Sequence, residues 1–152
     1  MSQPRERLFL LDGTALAYRA HFAFLRARLT DTRGRPTGAV YGFVATLLKL
    51  IRDERPDHLG CCFDPPGPTF RHERYEPYKA TRERMDDDLA VQLPVLRDVV
   101  RAFNIPVLEV PGFEADDVMA TLAERAAKQG IDAYIVTGDK DLCQSVEPGV
   151  FI

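Results

Sequence analysis

Leu8-Phe9-Leu10-Leu11-Asp12-Gly13-Thr14 is the stretch on which the reading of this chain turns. A short apolar run that stops at an acid and a glycine reads as a strand ending in a turn. The same signature recurs. Leu59-Gly60-Cys61-Cys62-Phe63 ends in Asp64, and Val107-Leu108-Glu109-Val110 leads into Glu114, Asp116 and Asp117. Ala133-Tyr134-Ile135-Val136-Thr137 leads into Asp139 and Asp141. Between these runs the apolar residues recur with helical period, as in Val40, Val44, Leu47, Leu48 and Ile51.

Strands alternating with helices imply crossover units and a parallel sheet covered on both faces. The expected fold is therefore α/β, a three-layer parallel sheet of about five strands flanked by helices. The strands are placed at Arg7–Leu11, Asp57–Phe63, Pro106–Val110, Ala133–Thr137 and from Val150 on. Helices are expected over Thr14–Leu25, from a Thr37 cap to Pro56, around Leu89–Phe103, over Glu114–Lys128 and over Asp139–Val146. Pro94 inside the third of these predicts a kink or a late start. Arg26 to Pro36 reads as a loop.

In such sheets the ligand site lies beyond the carboxyl ends of the strands. That rule gathers Asp12, Asp64, Glu114, Asp116, Asp117, Asp139 and Asp141 on one edge. An Asp-Gly turn, or acids in the first turn of a helix, can be purely local devices. Three acids in the four residues 114–117 exceed what a cap requires, and acids three apart on a helix repel. Such crowding calls for a cation, and hard ions such as Mg²⁺ and Mn²⁺ take oxygen ligands of this kind. A pair of such ions suits phosphodiester hydrolysis, one acidifying a water and the other stabilising the leaving oxygen.

Composition is consistent with one ordinary soluble domain: 152 residues, 45% hydrophobic, 28% charged, net charge −3. Its three cysteines show no metal-ligand spacing, and adjacent Cys61 and Cys62 read as small core residues in a reducing, cytoplasmic setting. His21, His58 and His72 are scattered and read as surface or internally satisfied histidines. No apolar leader or run long enough to span a bilayer is present.

Asp64-Pro65-Pro66-Gly67-Pro68 opens a stretch to about Asp88 with weak apolar periodicity, expected to be mobile without a ligand. Within it, Arg71, Arg74, Lys79, Arg82 and Arg84 interleave with Phe70, Tyr75 and Tyr78. Guanidinium groups grip phosphates and aromatic rings stack on unpaired bases, so the stretch suits a single strand of nucleic acid. Arg19, on the helix after Asp12, could reach a phosphate at the same edge.

These residues carry a family resemblance. Leu11-Asp12-Gly13, Tyr18-Arg19-Ala20, Phe63-Asp64, Phe70-Arg71-His72-Glu73, Tyr78-Lys79-Ala80, Glu114-Ala115-Asp116-Asp117 and Thr137-Gly138-Asp139-Lys140-Asp141 resemble the flap endonuclease family. The likeness is to the 5′-nuclease domains of bacterial DNA polymerase I, with their PIN-like fold. It implies metal-dependent 5′-3′ exonuclease and 5′-flap endonuclease activity on DNA in replication and repair, in a monomer of the bacterial nucleoid. By the resemblance, Asp12, Asp64, Glu114 and Asp116 hold a first Mg²⁺, or Mn²⁺ in its place, with Asp117 in support. Asp139 and Asp141 belong to a second ion. Arg19, Arg71, Tyr78, Lys79 and Arg82 contact DNA or steer the scissile phosphate, with Lys79 and Arg82 counted among the catalytic groups. The stretch from about 64 to 88 forms a helical arch over the 5′ strand.

Members of that family continue with a Gly-Asp-x-x-Asp-Asn motif, a helix–hairpin–helix-like module and, in some, a polymerase region. Residues 1–152 hold none of these, so the expectation is an N-terminal half with an incomplete second metal site. A catalytically silent DNA-binding domain is one alternative. A haloacid-dehalogenase-type phosphatase is another, opposed by Leu10, which stands where that nucleophilic aspartate belongs.

Overall fold

The computed structural model describes residues 4–78 and 84–152. In chain order it contains β1 (Arg7–Asp12), α1 (Gly13–Phe24), α2 (Gly38–Glu54), β2 (His58–Cys62), α3 (Phe70–Arg74) and α4 (Asp87–Ala90). Then follow α5 (Leu93–Ala102), β3 (Val107–Leu108), α6 (Ala115–Lys128), β4 (Asp132–Val136) and β5 (Val150–Phe151). Short 3-10 turns cover Leu25–Ala27 and Lys140–Ser145.

All strand pairs are parallel, in the order β3-β2-β1-β4-β5. Successive side chains on a strand point to opposite faces. Phe9, Leu11, Cys61, Phe63, Tyr134 and Val136 accordingly pack with α1, α2 and α5 on one face. Leu10, Cys62, Ala133, Ile135 and Val150 pack with Met119, Ala123 and Ala126 of α6 on the other. Those are the three layers expected from the sequence. The strand order reverses between β1 and β4, which makes their carboxyl ends the natural crevice of the sheet.

Close approach explains two glycines. A Cβ on Gly13 would stand 2.6 Å from the Phe63 ring, so only glycine lets α1 begin directly against the end of β2. A Cβ on Gly42 would stand 2.9 Å from Ala20 Cβ, and its absence lets α1 and α2 cross closely.

Several local expectations change. Thr37 does not cap α2 with its side chain. The buried Gln92 does so instead, its Oε1 accepting from the N–H groups of Ala39 and Val40 at 2.9 and 3.2 Å. The late start expected at Pro94 is observed: α4 stops at Ala90 and α5 restarts at Leu93, putting the proline in a first turn where its missing N–H costs nothing. Strand three is only Val107–Leu108, and the helix expected over Asp139–Val146 is the 3-10 turn Lys140–Ser145.

The stretch after Asp64 is less bare than its charge suggests. The buried Thr69 precedes α3, and the Phe70 N–H donates to the Gly112 carbonyl at 2.9 Å. His21, expected at the surface or satisfied, is 5% exposed. Its Nε2 has no hydrogen-bond partner among the described residues, and Asp86 Oδ2 lies 3.6 Å away. Among the described residues no helix is long and apolar enough to cross a membrane.

Candidate active site

Asp12 closes β1 and caps α1, with only 4% of its surface exposed. The Ala15 N–H donates to its Oδ1 at 2.9 Å and the Thr137 hydroxyl donates to its Oδ2 at 2.8 Å. Thr137 Oγ1 also accepts from the Asp139 N–H at 3.0 Å. One hydroxyl thus ties the ends of β1 and β4 together across the crevice. Burial, reinforced by the charges of Asp64 and Asp139, raises the Asp12 pKa, and the two hydrogen bonds oppose that rise.

Asp64 is held from three sides. Its N–H donates to Thr14 Oγ1 at 3.0 Å, and its Oδ1 accepts from the Ala115 N–H at 2.9 Å, at the N-terminus of α6. An anion there gains from the unpaired N–H groups and the helix dipole. Its carbonyl accepts from Arg97, whose guanidinium also pairs with Glu109 and lies 4.8 Å over the Phe63 ring. A cavity of about 670 Å³ opens over Asp64, walled by Tyr18, Pro65, Met85 and Arg97.

Glu114 caps α6 and is 7% exposed. The Tyr78 hydroxyl donates to its Oε2 at 3.3 Å. Asp117 is bound to both Glu114 and Arg71. Its Oδ2 accepts from the Glu114 N–H at 3.1 Å, and both its oxygens accept from Arg71 at 2.6 and 2.7 Å. That bidentate pair holds Arg71 firmly protonated, 3.8 Å from Glu114.

Asp116 carries the greatest electrostatic load. Burial first, then the charges of Asp12, Asp139, Asp64 and Glu114, push its carboxyl up to about 6. Asp12, Asp64, Glu114, Asp116 and Asp139 therefore share one field. Asp139 and Asp141 occupy an exposed turn in which the Asp141 N–H donates to Asp139 Oδ1 at 2.9 Å.

Of the basic candidates, Arg71 stands at the acids, while Arg19 is exposed on α1 and makes no hydrogen bond or ion pair among the described residues. Lys79 and Arg82 lie outside the described residues. Cys61 and Cys62 are buried, and burial pushes both thiols up, which fits core packing. Sequence reasoning assigned no role to Thr137 or Arg97. Thr137 was visible in its Thr-Gly-Asp motif, whereas nothing local marks Arg97, whose contact to Asp64 spans 33 residues.

Among the described residues no three acid, histidine or cysteine side chains close into a ready cage for an ion. The donor set nevertheless suits a hard divalent cation, being all oxygen and mutually repulsive. Asp12 and Asp64 are already oriented by fixed donors, which is the arrangement that limits the cost of gathering ligands.

The sequence matches, over residues 7–152, the family model described as 5′-3′ exonuclease, N-terminal resolvase-like domain. It is 43% identical over 145 residues to the 5′-3′ exonuclease of Aquifex aeolicus, covering 95% of this chain and 50% of that one. It is 45% identical over 150 residues to the thermostable DNA polymerase I of Thermus thermophilus, covering 99% of this chain and 18% of that one. The chain thus spans half or less of the length of these relatives. Its fold is shared with bacteriophage T5 flap endonuclease solved as a pseudo-enzyme-product complex with DNA and metal ions. There the TM-score is 0.70 at 17% identity, covering 95% of this chain and 53% of that one. With the sheet order, the acidic crevice and the match over residues 7–152 in agreement, the chain belongs to the family of 5′-3′ exonuclease N-terminal, resolvase-like domains.

Proposed function

We propose that this domain hydrolyses DNA phosphodiesters near a 5′ end or at a 5′ flap, with divalent cations, Mg²⁺ first among them. The observation that carries the proposal is the convergence of acids from four strand ends on the crevice between β1 and β4, with Asp12 and Asp64 fixed by Thr137 and Ala115. The relatives' names, 5′-3′ exonuclease and DNA polymerase I, support the same reaction.

In this reading Asp12, Asp64, Glu114 and Asp116 hold the first cation, and Asp139 and Asp141 contribute to a second. When bound, such cations supply Lewis acidity at phosphoryl oxygens and acidify water. The protein's own part is orientation and charge. Thr137 keeps Asp12 aimed into the crevice, and Arg97 braces the backbone of Asp64. Asp117 holds the half-buried Arg71 guanidinium beside the acids, where its remaining donor capacity meets a phosphate. Arg19 and Tyr78, with Lys79 and Arg82, extend that grip along the strand. Residues from about 64 to 88 act as the arch, its first limb anchored on α6 through Arg71–Asp117 and Tyr78–Glu114. The domain works as a monomer, and in longer relatives of its kind a polymerase region follows.

A labelled 5′-flap duplex tests this directly. Cleavage that needs Mg²⁺ or Mn²⁺ and disappears in an Asp12→Asn, Asp116→Asn double variant is expected. Equal cleavage by the double variant would defeat the assignment. Tight DNA binding without any metal-dependent cleavage, either here or in a version extended with a relative's following module, would favour a binding domain instead.

A further inference from the structure

Beside the acidic edge lies a second concavity that the metal reading leaves unused. It measures about 520 Å³, within the range of small-molecule sites, and is lined by Phe70, Val110, Phe113, Asp117, Val118 and Leu122. Phe113 is 47% exposed although it is flanked by the buried Glu114. Its ring stands 5.5 Å from that of Phe70, tilted by 48°. The exposed Phe113 ring and the half-buried Phe70 ring therefore line this cleft together, next in sequence to Glu114 and Arg71.

The surroundings select the occupant. The Arg71 guanidinium lies 4.6 Å over the Phe70 ring and bridges to Asp117 and Glu114. The carboxylate lining this cleft is thus neutralised by a paired cation. Arg74 lies 5.7 Å over the same ring and has no ion pair among the described residues. An apolar slot for a flat ring, rimmed by guanidinium groups, matches a nucleotide with its base inside and its phosphate outside. A peptide would need backbone donors and acceptors along the slot, and the lining side chains are nearly all apolar.

We infer that the Phe70/Phe113 cleft holds an unpaired base of the DNA strand whose phosphate lies at Arg71, so that Phe113 helps position the strand at the acids. This rests on the nuclease reading above. The placement is continuous: Glu114 and Phe113 are adjacent in sequence, and Arg71 touches the acid cluster and the aromatic slot at once. Phe113 is a positioning residue here, acting through the base rather than on the reacting atoms.

The test uses the chain as it stands, without divalent cation, and single-stranded oligonucleotides carrying 2-aminopurine at successive positions. Wild type should quench the fluorophore over a narrow window. Phe113→Leu, which keeps apolar bulk but removes the ring, should lose the quench and bind about 10-fold more weakly. Phe113→Tyr should restore both, and an abasic site at the quenched position should cost wild type as much as the leucine costs. Mn²⁺ affinity, read by calorimetry, should be the same in Phe113→Leu as in wild type. Equal affinity and equal quench in Phe113→Leu would overturn the inference and leave the cleft to a protein partner. Failure of wild type to bind either DNA or Mn²⁺ would overturn the nuclease reading itself, and this inference with it.

Discussion

Asp116 and Asp141 are both aspartates in the segment that follows a strand, yet they sit in opposite physical states. Asp116 is half-buried in the first turn of a 14-residue helix, facing the charges of Asp12, Asp64, Glu114 and Asp139. Asp141 is exposed in a 3-10 turn, with its backbone N–H bound to Asp139. The first set of acids is fixed by donors from other parts of the chain: Thr137 to Asp12, Ala115 to Asp64, Tyr78 to Glu114. Among the described residues, the hydrogen bonds of the second set lie within its own turn. Strain and preorganisation are concentrated on one side of the crevice, and that side is where a cation should bind first and most tightly.

The sharpest way to break this contrast is to neutralise one acid from each set. Asp116→Asn should lower Mn²⁺ affinity by more than ~100-fold, beyond the usual cost of losing an outer-shell partner. It should also stabilise the metal-free protein by about 1 kcal/mol at neutral pH, by relieving repulsion around a half-buried carboxylate. Calorimetric titration and thermal melting of the two variants measure both effects. Asp141→Asn matching Asp116→Asn in metal affinity would erase the distinction.

A smaller effect isolates orientation from charge. Thr137→Val removes the hydroxyl that holds Asp12 without altering any acid, and should weaken Mn²⁺ binding by ~10-fold. Thr137→Ser should recover most of the loss. Equal affinity in wild type and the valine variant would show that Asp12 is positioned by β1 alone.

The pH response sharpens the comparison further. The Asp116 carboxyl is raised from 3.8 to about 6, so the folded state holds its proton over an interval where the unfolded chain has released it. Stability of the metal-free protein should therefore fall as pH rises through that interval and level off above it. Mn²⁺ affinity should rise over the same range, because proton and cation compete for one carboxylate. Asp116→Asn should flatten this part of both curves. A wild-type melting curve that instead gains stability between those pH values would contradict the assigned burial and crowding.

The smallest effect belongs to the exposed turn. Asp141→Asn should leave the stability of the metal-free protein within about 0.5 kcal/mol of wild type, as expected for an exposed site. A larger change in chemical denaturation would mean that Asp141 is drawn into the crevice after all.

Periodicity and turn chemistry are local properties, and what depends on them was legible in the residues. The apolar runs ending at Asp12, Asp64 and Thr137 announced parallel strands, and the rule for their carboxyl ends placed the acids on one edge. Pro94 announced a break near α5. The stretch after Asp64, too, carried its arginines and tyrosines openly. What the sequence could not rank was the partners. Thr137 meets Asp12 across 125 residues, Gln92 caps a helix 53 residues earlier, and Arg71 pairs with Asp117 across 46. His21 offers no pattern that marks it as buried, with a nitrogen that makes no hydrogen bond among the described residues. Phe113 looked like any aromatic before a helix until the approach of Phe70 made a cleft of it. Such contacts depend on which strands lie side by side and how closely helices approach. In this fold those distances follow from the strand order and from the space left at Gly13 and Gly42, so only the assembled structure decides them.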